Sequence, residues 1–524
     1  MSSTHKITPS NPRLGSLLSD VTRGNIKIPV FQREFVWKDE QVMSLLDSIY
    51  RGYPVGSLLL WSTRVRLDYE RNVGGFALPE SPDDYPVNYV LDGQQRLTTL
   101  YGVFNSNAPT TDEELADRLN VCFYPNEETF IHHASADPQT TINLRVILDT
   151  TKLFPELKRF DATQQSVIAS LVEKFKDYEF PVVTIRDRSN QEVCRVFQRI
   201  NSSGTSLSTL ELLAAWTWSD RFDLRREMET LIDQLADKGY DDLDDTLLMR
   251  CLAAIVLGGI ESDALVDVEA ERVVRGVTIL KQAVYACIDF LERELRIRNI
   301  VFLPFPIMVV PLVKFFSLQV NPNAAQLKCL RRWFWSCSFT QRYKAGTNKL
   351  VMADLQRMER LARGEVVFDD LDAEVDESLF KKPWRINSTA AKAAICLLAQ
   401  YGPISFLTGR AVDLGNAMAA YNAREFHHIY PKGFLADVGV GFHEANVIAN
   451  ICLLTAADNN NIRDRSPADY FGTVPADHKE RAFRAAMIPE SAADGSQPFG
   501  EFVGLRARAL KEAALALIVN GTRG

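Results

Sequence analysis

Paired cysteines are missing from this sequence. Cys122, Cys194, Cys251, Cys287, Cys329, Cys337, Cys396 and Cys452 stand singly, with no C-x-x-C among them. That spacing argues against a Cys-ligated zinc or iron–sulfur centre, and single thiols among apolar residues suit a reducing compartment. An excess of positive charge is also missing: 59 Lys and Arg against 67 Asp and Glu leave a formal net charge of −8. Such a chain does not coat nucleic acid by bulk attraction, so any contact must come from local basic patches. No long uninterrupted apolar run occurs. The most apolar stretch, Ile300 to Phe316, carries three prolines and Lys314, and reads as a buried helical core, not a membrane span. The polar segment Met1–Arg13 has no apolar core of a secretory signal and reads as a flexible tail. These absences place the expected protein in the cytoplasm, without a membrane partner. A G-x-x-x-x-G-K-[ST] motif is absent too, which excludes a P-loop nucleotide site.

What is present is enough chain, 524 residues, for two or three domains with sizeable cores. Leu14–Leu18 begins a first helix, and Ile26–Trp37 reads as a strand or extended loop. Within it Arg33 is either paired with Glu34 or held for an anionic ligand. Val42, Leu45, Leu46 and Ile49 have helical spacing, with acids early and Arg51 late. Gly52-Tyr53-Pro54 stops that helix, Ser57–Trp61 is the next strand, and Arg64–Tyr85 is a polar surface excursion.

The most informative stretch of the first half is Asp92-Gly93-Gln94-Gln95-Arg96, between the strand-like Val87–Leu91 and the helix-compatible Leu97–Phe104. A strand that turns at glycine into a helix exposes backbone N–H groups where an anion can sit. Asp, two carboxamides and a guanidinium placed there suit a nucleotide or phosphate; an ordinary polar turn is the plainer alternative. Val196–Ser208 reads as a helix end with Arg199, then a polar loop. In it Asn201 and Thr205 serve either a ligand or the cap of the helix Leu210–Trp218.

From Arg221 to Ser388 the apolar spacing is helical, notably at Leu247–Val256, Val273–Leu291 and Leu327–Phe339. Arg331-Arg332-Trp333-Phe334-Trp335 mixes cations with aromatics as nucleic-acid surfaces do. The better reading is a helix with aromatics inward and arginines to water. Glu365–Glu377 is an acidic, solvated connector. Ser388 caps a helix from Thr389 to Gln400.

Further on, Glu425-Phe426-His427-His428-Ile429-Tyr430-Pro431-Lys432 sets two histidines side by side on a short strand, facing opposite ways. Asn446, Asn450, the strand Ile451–Leu454 and the run Asn459-Asn460-Asn461 follow. His443 and His478 read as surface residues.

The segments Ile28–Arg33, Gly52–Ser57, Asp92–Thr98 and Val196–Ser208 together resemble the N-terminal domain of GmrSD-type modification-dependent restriction proteins, with similarity also to SspE. The stretch from His427 to Pro467 resembles an HNH nuclease domain. The resemblance implies an α+β, mostly helical fold. It comprises a ParB/sulfiredoxin-like nucleotide-binding domain (1–218), a helical linking domain (219–387) and a ββα-metal HNH domain (388–524). It implies that Asp92, Gly93, Gln94, Gln95, Arg96, Arg33, Arg199 and Asn201 bind a nucleoside triphosphate, GTP being favoured, and hydrolyse it with Mg²⁺. It makes His428 the general base and Asn450 the residue that orients its loop. His427 and Asn460 become ligands of Mg²⁺ or another divalent metal, with Asn459 and Asn461 as alternatives to Asn460. The implied activity is nucleotide-dependent nicking or cleavage of DNA modified by phosphorothioate or glucosylated cytosine, in defence against phage; a homo-oligomer is left open. The alternative is a nucleotide-switched DNA-binding regulatory protein with an inactive HNH domain.

Overall fold

The computed structural model describes residues 7–29, 35–64, 69–79, 86–105, 108–186, 192–193, 195–196, 209–219, 221–365, 374–417 and 426–521. The chain forms two compact units, Met1–Asp223 and Leu224–Gly524, and the expected boundary at 387 falls inside the second. Both α and β elements occur, with helix in excess. Among the described residues no helix is long and apolar enough to cross a membrane.

In the first unit, β1 (Ile7–Ser10) is followed by α1 (Leu14–Thr22), β2 (Ile26–Lys27), α2 (Asp39–Tyr50) and β3 (Leu58–Thr63). Then come β4 (Val87–Asp92), α3 (Gln94–Phe104), α4 (Ala162–Asp177) and β5 (Val182–Arg186). The five strands make one mixed sheet in the order β1-β5-β3-β4-β2. β3 runs parallel to β5 and antiparallel to β4, with an irregularity between Leu59 and Leu60.

The tail reading of Met1–Arg13 is corrected here. Ile7–Ser10 is an edge strand, antiparallel to β5 with Ile7 opposite Ile185; its backbone groups gain ladder partners that a free tail would leave to water. The surface reading of Arg64–Tyr85 also needs correction, since Asn72–Val73 pairs with Phe76–Ala77 and both Val73 and Phe76 are buried.

On α2 the buried Val42, Leu45, Leu46 and Ile49 form the stripe expected from their spacing, and Asp39 and Glu40 occupy its first turn, where carboxylates suit the helix dipole. These side chains join those of α1, α3 and α4 in a single core under the sheet.

The second unit begins with α5 (Leu224–Ala236), α6 (Asp245–Leu257), α7 (Ala270–Arg293) and α8 (Val309–Leu318). It continues with α9 (Ala324–Phe339), α10 (Thr347–Ala362) and α11 (Thr389–Gln400), the last capped by Ser388, which accepts the Ala391 N–H at 3.2 Å. Its last part holds β6 (Phe426–His428), β7 (Ile451–Leu453), α12 (Ala456–Ile462) and the long α13 (Phe499–Asn520).

Trp333, Phe334 and Trp335 of α9 are fully buried, as the amphipathic reading requires. The arginines do not simply face water, however. Arg331 pairs with Glu294, and Arg332 donates to the Ile518 carbonyl of α13 at 3.1 Å. Beneath them Asp354 of α10, with no exposed surface, takes hydrogen bonds from Trp333 Nε1 at 3.2 Å, Arg342 Nε at 3.0 Å, Arg357 Nη1 at 3.3 Å and the Tyr343 hydroxyl.

Candidate functional site

β4 ends at Asp92, and Gly93 turns the chain into α3 with φ 90° and ψ 13°, a region that glycine enters without steric cost. A Cβ at Gly93 would stand 2.3 Å from Leu58 Cδ2. Gly93→Ala is therefore expected to lower the stability of the first unit by about 2 kcal/mol, read as a shifted urea midpoint; an unmoved midpoint would show that the turn tolerates a side chain.

Behind the glycine, Arg96 serves the fold. Its Nη1 donates to the Val55 carbonyl at 3.1 Å, and its Nη2 to the Ser57 carbonyl at 2.8 Å and to Asp92 at 3.4 Å. Gln95 is also engaged: it is buried and accepts the Val36 N–H at 2.9 Å. Gln94 and Thr98, one helical turn apart, face a cavity of about 420 Å³. The charged walls of that cavity are Glu70, Asp112, Glu114 and Arg118. Arg118 lies over the Phe35 ring at 5.7 Å and 3.8 Å from Asp39. The motif therefore divides, with Arg96 and Gln95 holding loops and Gln94 opening on a space that can take a ligand. Arg33, Arg199 and Asn201 lie outside the described residues.

In the second unit, β6 and β7 pair antiparallel, His427 opposite Cys452 and His428 opposite Ile451, and α12 follows after two residues. The two histidines meet different neighbours, as their alternation requires. His428 Nε2 lies 3.0 Å from Asn446 Oδ1, and the Asn446 amide donates to the Trp384 carbonyl at 3.1 Å. That second bond fixes which end of the amide faces the ring. His428 Nε2 therefore carries the proton, and Nδ1 keeps a lone pair.

His427 is 6% exposed, lies beside Asn459 and Asp458, and its Nε2 has no hydrogen-bond partner among the described residues. Burial is the main cause that pushes both imidazoles down to about 4, so both are neutral near pH 7. For His428 the nearby Lys432 adds to this. An imidazole in water titrates near ~6.5; these two lie lower because a strand-borne ring here gives up most of its water.

Asn450 has no exposed surface and both polar atoms of its amide are engaged. Its Oδ1 accepts the Tyr430 N–H at 2.8 Å, and its Nδ2 donates to the carbonyls of Tyr430 and Ala445, each at 3.0 Å. It fixes the chain just after the histidines and has no atom left to touch a substrate. Asn460 and Asn461 are exposed, and Asn461 Oδ1 accepts from Arg465 at 2.6 Å. Of the asparagine run it is thus Asn459 that the structure sets against His427. Among the described residues no three His, Cys, Asp or Glu side chains gather as a cation site. A cation here would rest on His427 Nε2, a carboxamide, waters and substrate oxygens; the oxygens suit Mg²⁺ and the imidazole suits a softer divalent ion such as Zn²⁺ or Ni²⁺.

Two buried charges complete the arrangement. Asp458 of α12 accepts from the Thr455 hydroxyl at 2.7 Å, the Ser405 hydroxyl at 2.9 Å and the Leu407 N–H at 2.8 Å. The Thr-x-x-Asp spacing of a capping box was a visible signal for it. Arg506 of α13 gave none. It is fully buried, pairs with no carboxylate among the described residues, and donates to the carbonyls of Ala449 at 2.6 Å, Ile451 at 2.7 Å and Ala486 at 2.9 Å. It thus grips both residues that flank Asn450. His478, expected at the surface, is buried; its Nε2 lies 2.9 Å from the Phe406 carbonyl and its Nδ1 2.8 Å from Asp477.

Residues 14–218 match the family model described as GmrSD restriction endonuclease, N-terminal domain. An uncharacterized protein of Methanocaldococcus jannaschii is 23% identical over 521 residues, covering 89% of this chain and 87% of that protein.

Proposed function

We propose that the chain is a restriction endonuclease in which a nucleotide-binding, ParB-like first unit governs DNA cleavage at an HNH-type site in the second. The observation that carries the reading is the neutral His428 with its lone pair on Nδ1, next to a buried His427 whose Nε2 lacks a partner among the described residues. The match over residues 14–218 supports the restriction-endonuclease class.

At the His428 site, His428 Nδ1 takes the proton of the attacking water, and Asn446 holds the ring in the tautomer that permits it. His427 and Asn459 would hold the divalent cation, with Asn460 beside them on the same helix. Bound there, the cation neutralises charge that develops on the scissile phosphate. Asn450 holds Tyr430, just after the histidines, and Arg506 holds the start of β7, against which their strand pairs.

In the first unit the nucleotide occupies the cavity beside Gln94. Three carboxylates and one guanidinium on its walls repel a bare triphosphate, so the nucleotide enters with a divalent cation. Arg96 holds the Val55–Ser57 loop against the Asp92 turn. GTP is the nucleotide to try first, and glucosylated or phosphorothioate DNA the trigger.

The test is GTP hydrolysis and DNA cutting measured with unmodified, glucosylated and phosphorothioate DNA. Hydrolysis should rise with one modified DNA, and Gln94→Ala should lower turnover about tenfold, with its urea midpoint unchanged. Equal turnover in that variant would place the nucleotide elsewhere, and cutting that ignores nucleotide would remove the coupling.

A further inference from the structure

Arg463 follows α12 with φ 50° and ψ −130°. Those are the angles of the first central residue of a type II′ turn, and the Arg465 N–H closes the turn on the Ile462 carbonyl at 3.2 Å. Glycine takes that position without penalty, whereas an arginine there strains the backbone. Strain of this kind persists only where the surroundings enforce it, and here they do. The Arg463 N–H donates to the Asn459 carbonyl at 3.0 Å and its Nε to the Asn460 carbonyl at 3.2 Å. Its neighbour Asp464 packs so closely on Gly433 that a Cβ there would lie 2.2 Å from the carboxylate.

The same contact ties two cations to the histidine ribbon. Gly433 adjoins Lys432, whose charge acts on His428 and whose ammonium lies 4.9 Å from the centre of the exposed Phe442 ring. Arg463 stands one turn beyond Asn459, the neighbour of His427. Its guanidinium is exposed, and neither Nη makes a hydrogen bond among the described residues. A planar fork with both terminal nitrogens open fits a phosphate oxygen pair.

We propose that Arg463 is a phosphate-binding residue for the DNA strand at the His428 site, held in a strained turn so that it and Lys432 grip the backbone of that strand. The proposal rests on the nuclease reading. It also explains why the turn keeps an arginine where glycine would be more stable.

The full chain is assayed on whichever of unmodified, glucosylated or phosphorothioate plasmid the wild type cuts fastest. Arg463→Gly should unfold at the same or a higher temperature, because it relieves the turn. Its KM for DNA should rise about tenfold, and the dependence of log KM on log salt should lose the share of about one phosphate contact. Arg463→Lys, which keeps the charge, should recover most of the binding. An unchanged KM and salt slope in Arg463→Gly, with His428→Ala inactive, would overturn this proposal alone. A wild-type protein that cuts none of the three plasmids would remove the nuclease reading and this proposal with it.

Discussion

His428→Ala is expected to lower metal-dependent cutting of plasmid DNA by about a thousandfold while nucleotide hydrolysis continues at its wild-type rate. The asymmetry follows from the fold: His428 belongs to the β6–β7 ribbon of the second unit, and the Gln94 cavity to the first. Cutting by wild-type protein should hardly vary between about pH 6 and pH 8, because the free imidazole is already neutral down to about 4. Stability should behave differently. In the unfolded chain both histidines bind protons below about 6.5, whereas in the fold they do so only near 4. The unfolded state therefore holds more protons between those values. The stability given by the neutral rings is complete above about pH 6.5 and is lost as pH falls towards 4. Full cutting by His428→Ala, or an unfolding midpoint that rises on acidification through this window, would remove the role given to these rings.

The largest loss of stability is expected from Asp354→Ala. The carboxylate is fully buried and holds Arg342, Arg357, Trp333 and Tyr343 together. Removing it takes the counter-charge from the partly buried Arg342, a change that costs about 3–5 kcal/mol. Burial and the carboxylate already push the Tyr343 hydroxyl well above its ordinary range, so that ring cannot take over the charge. Urea unfolding of the full chain, followed by far-UV circular dichroism, measures the loss. A midpoint shift worth less than about 1 kcal/mol would mean that water replaces the carboxylate and that the cluster is open.

Much of the scaffold could be read from spacing. The α2 stripe, the strand–glycine–helix turn at Asp92, the Ser388 cap and the inward aromatics of α9 follow from periods of 2 and 3.6 and from local capping chemistry. The site was legible as residue types: two adjacent histidines, then asparagines after a strand. Their individual duties were not. Arg96 looks like a phosphate ligand in sequence, yet three acceptors of its own fold hold its guanidinium. Asn460 and Asn459 are alike as letters; only the pitch of α12 decides which meets His427. Asp354 and Arg506 are ordinary surface residues on paper; the burial of Asp354 depends on a cluster that reaches back 21 residues to Trp333, and that of Arg506 on a carbonyl 57 residues away. The edge strand Ile7–Ser10 depends in the same way on Val182–Arg186.

Arg506 also gives the molecule an order of manufacture. The ribosome releases the two histidines and Asn450 well before it makes α13, so the carbonyls of Ala449 and Ile451 wait for a donor that lies 57 and 55 residues further along. Until then an unsatisfied pair of acceptors flanks the turn that aligns His428. A nascent chain thus carries His427 and His428 before it can hold them in register.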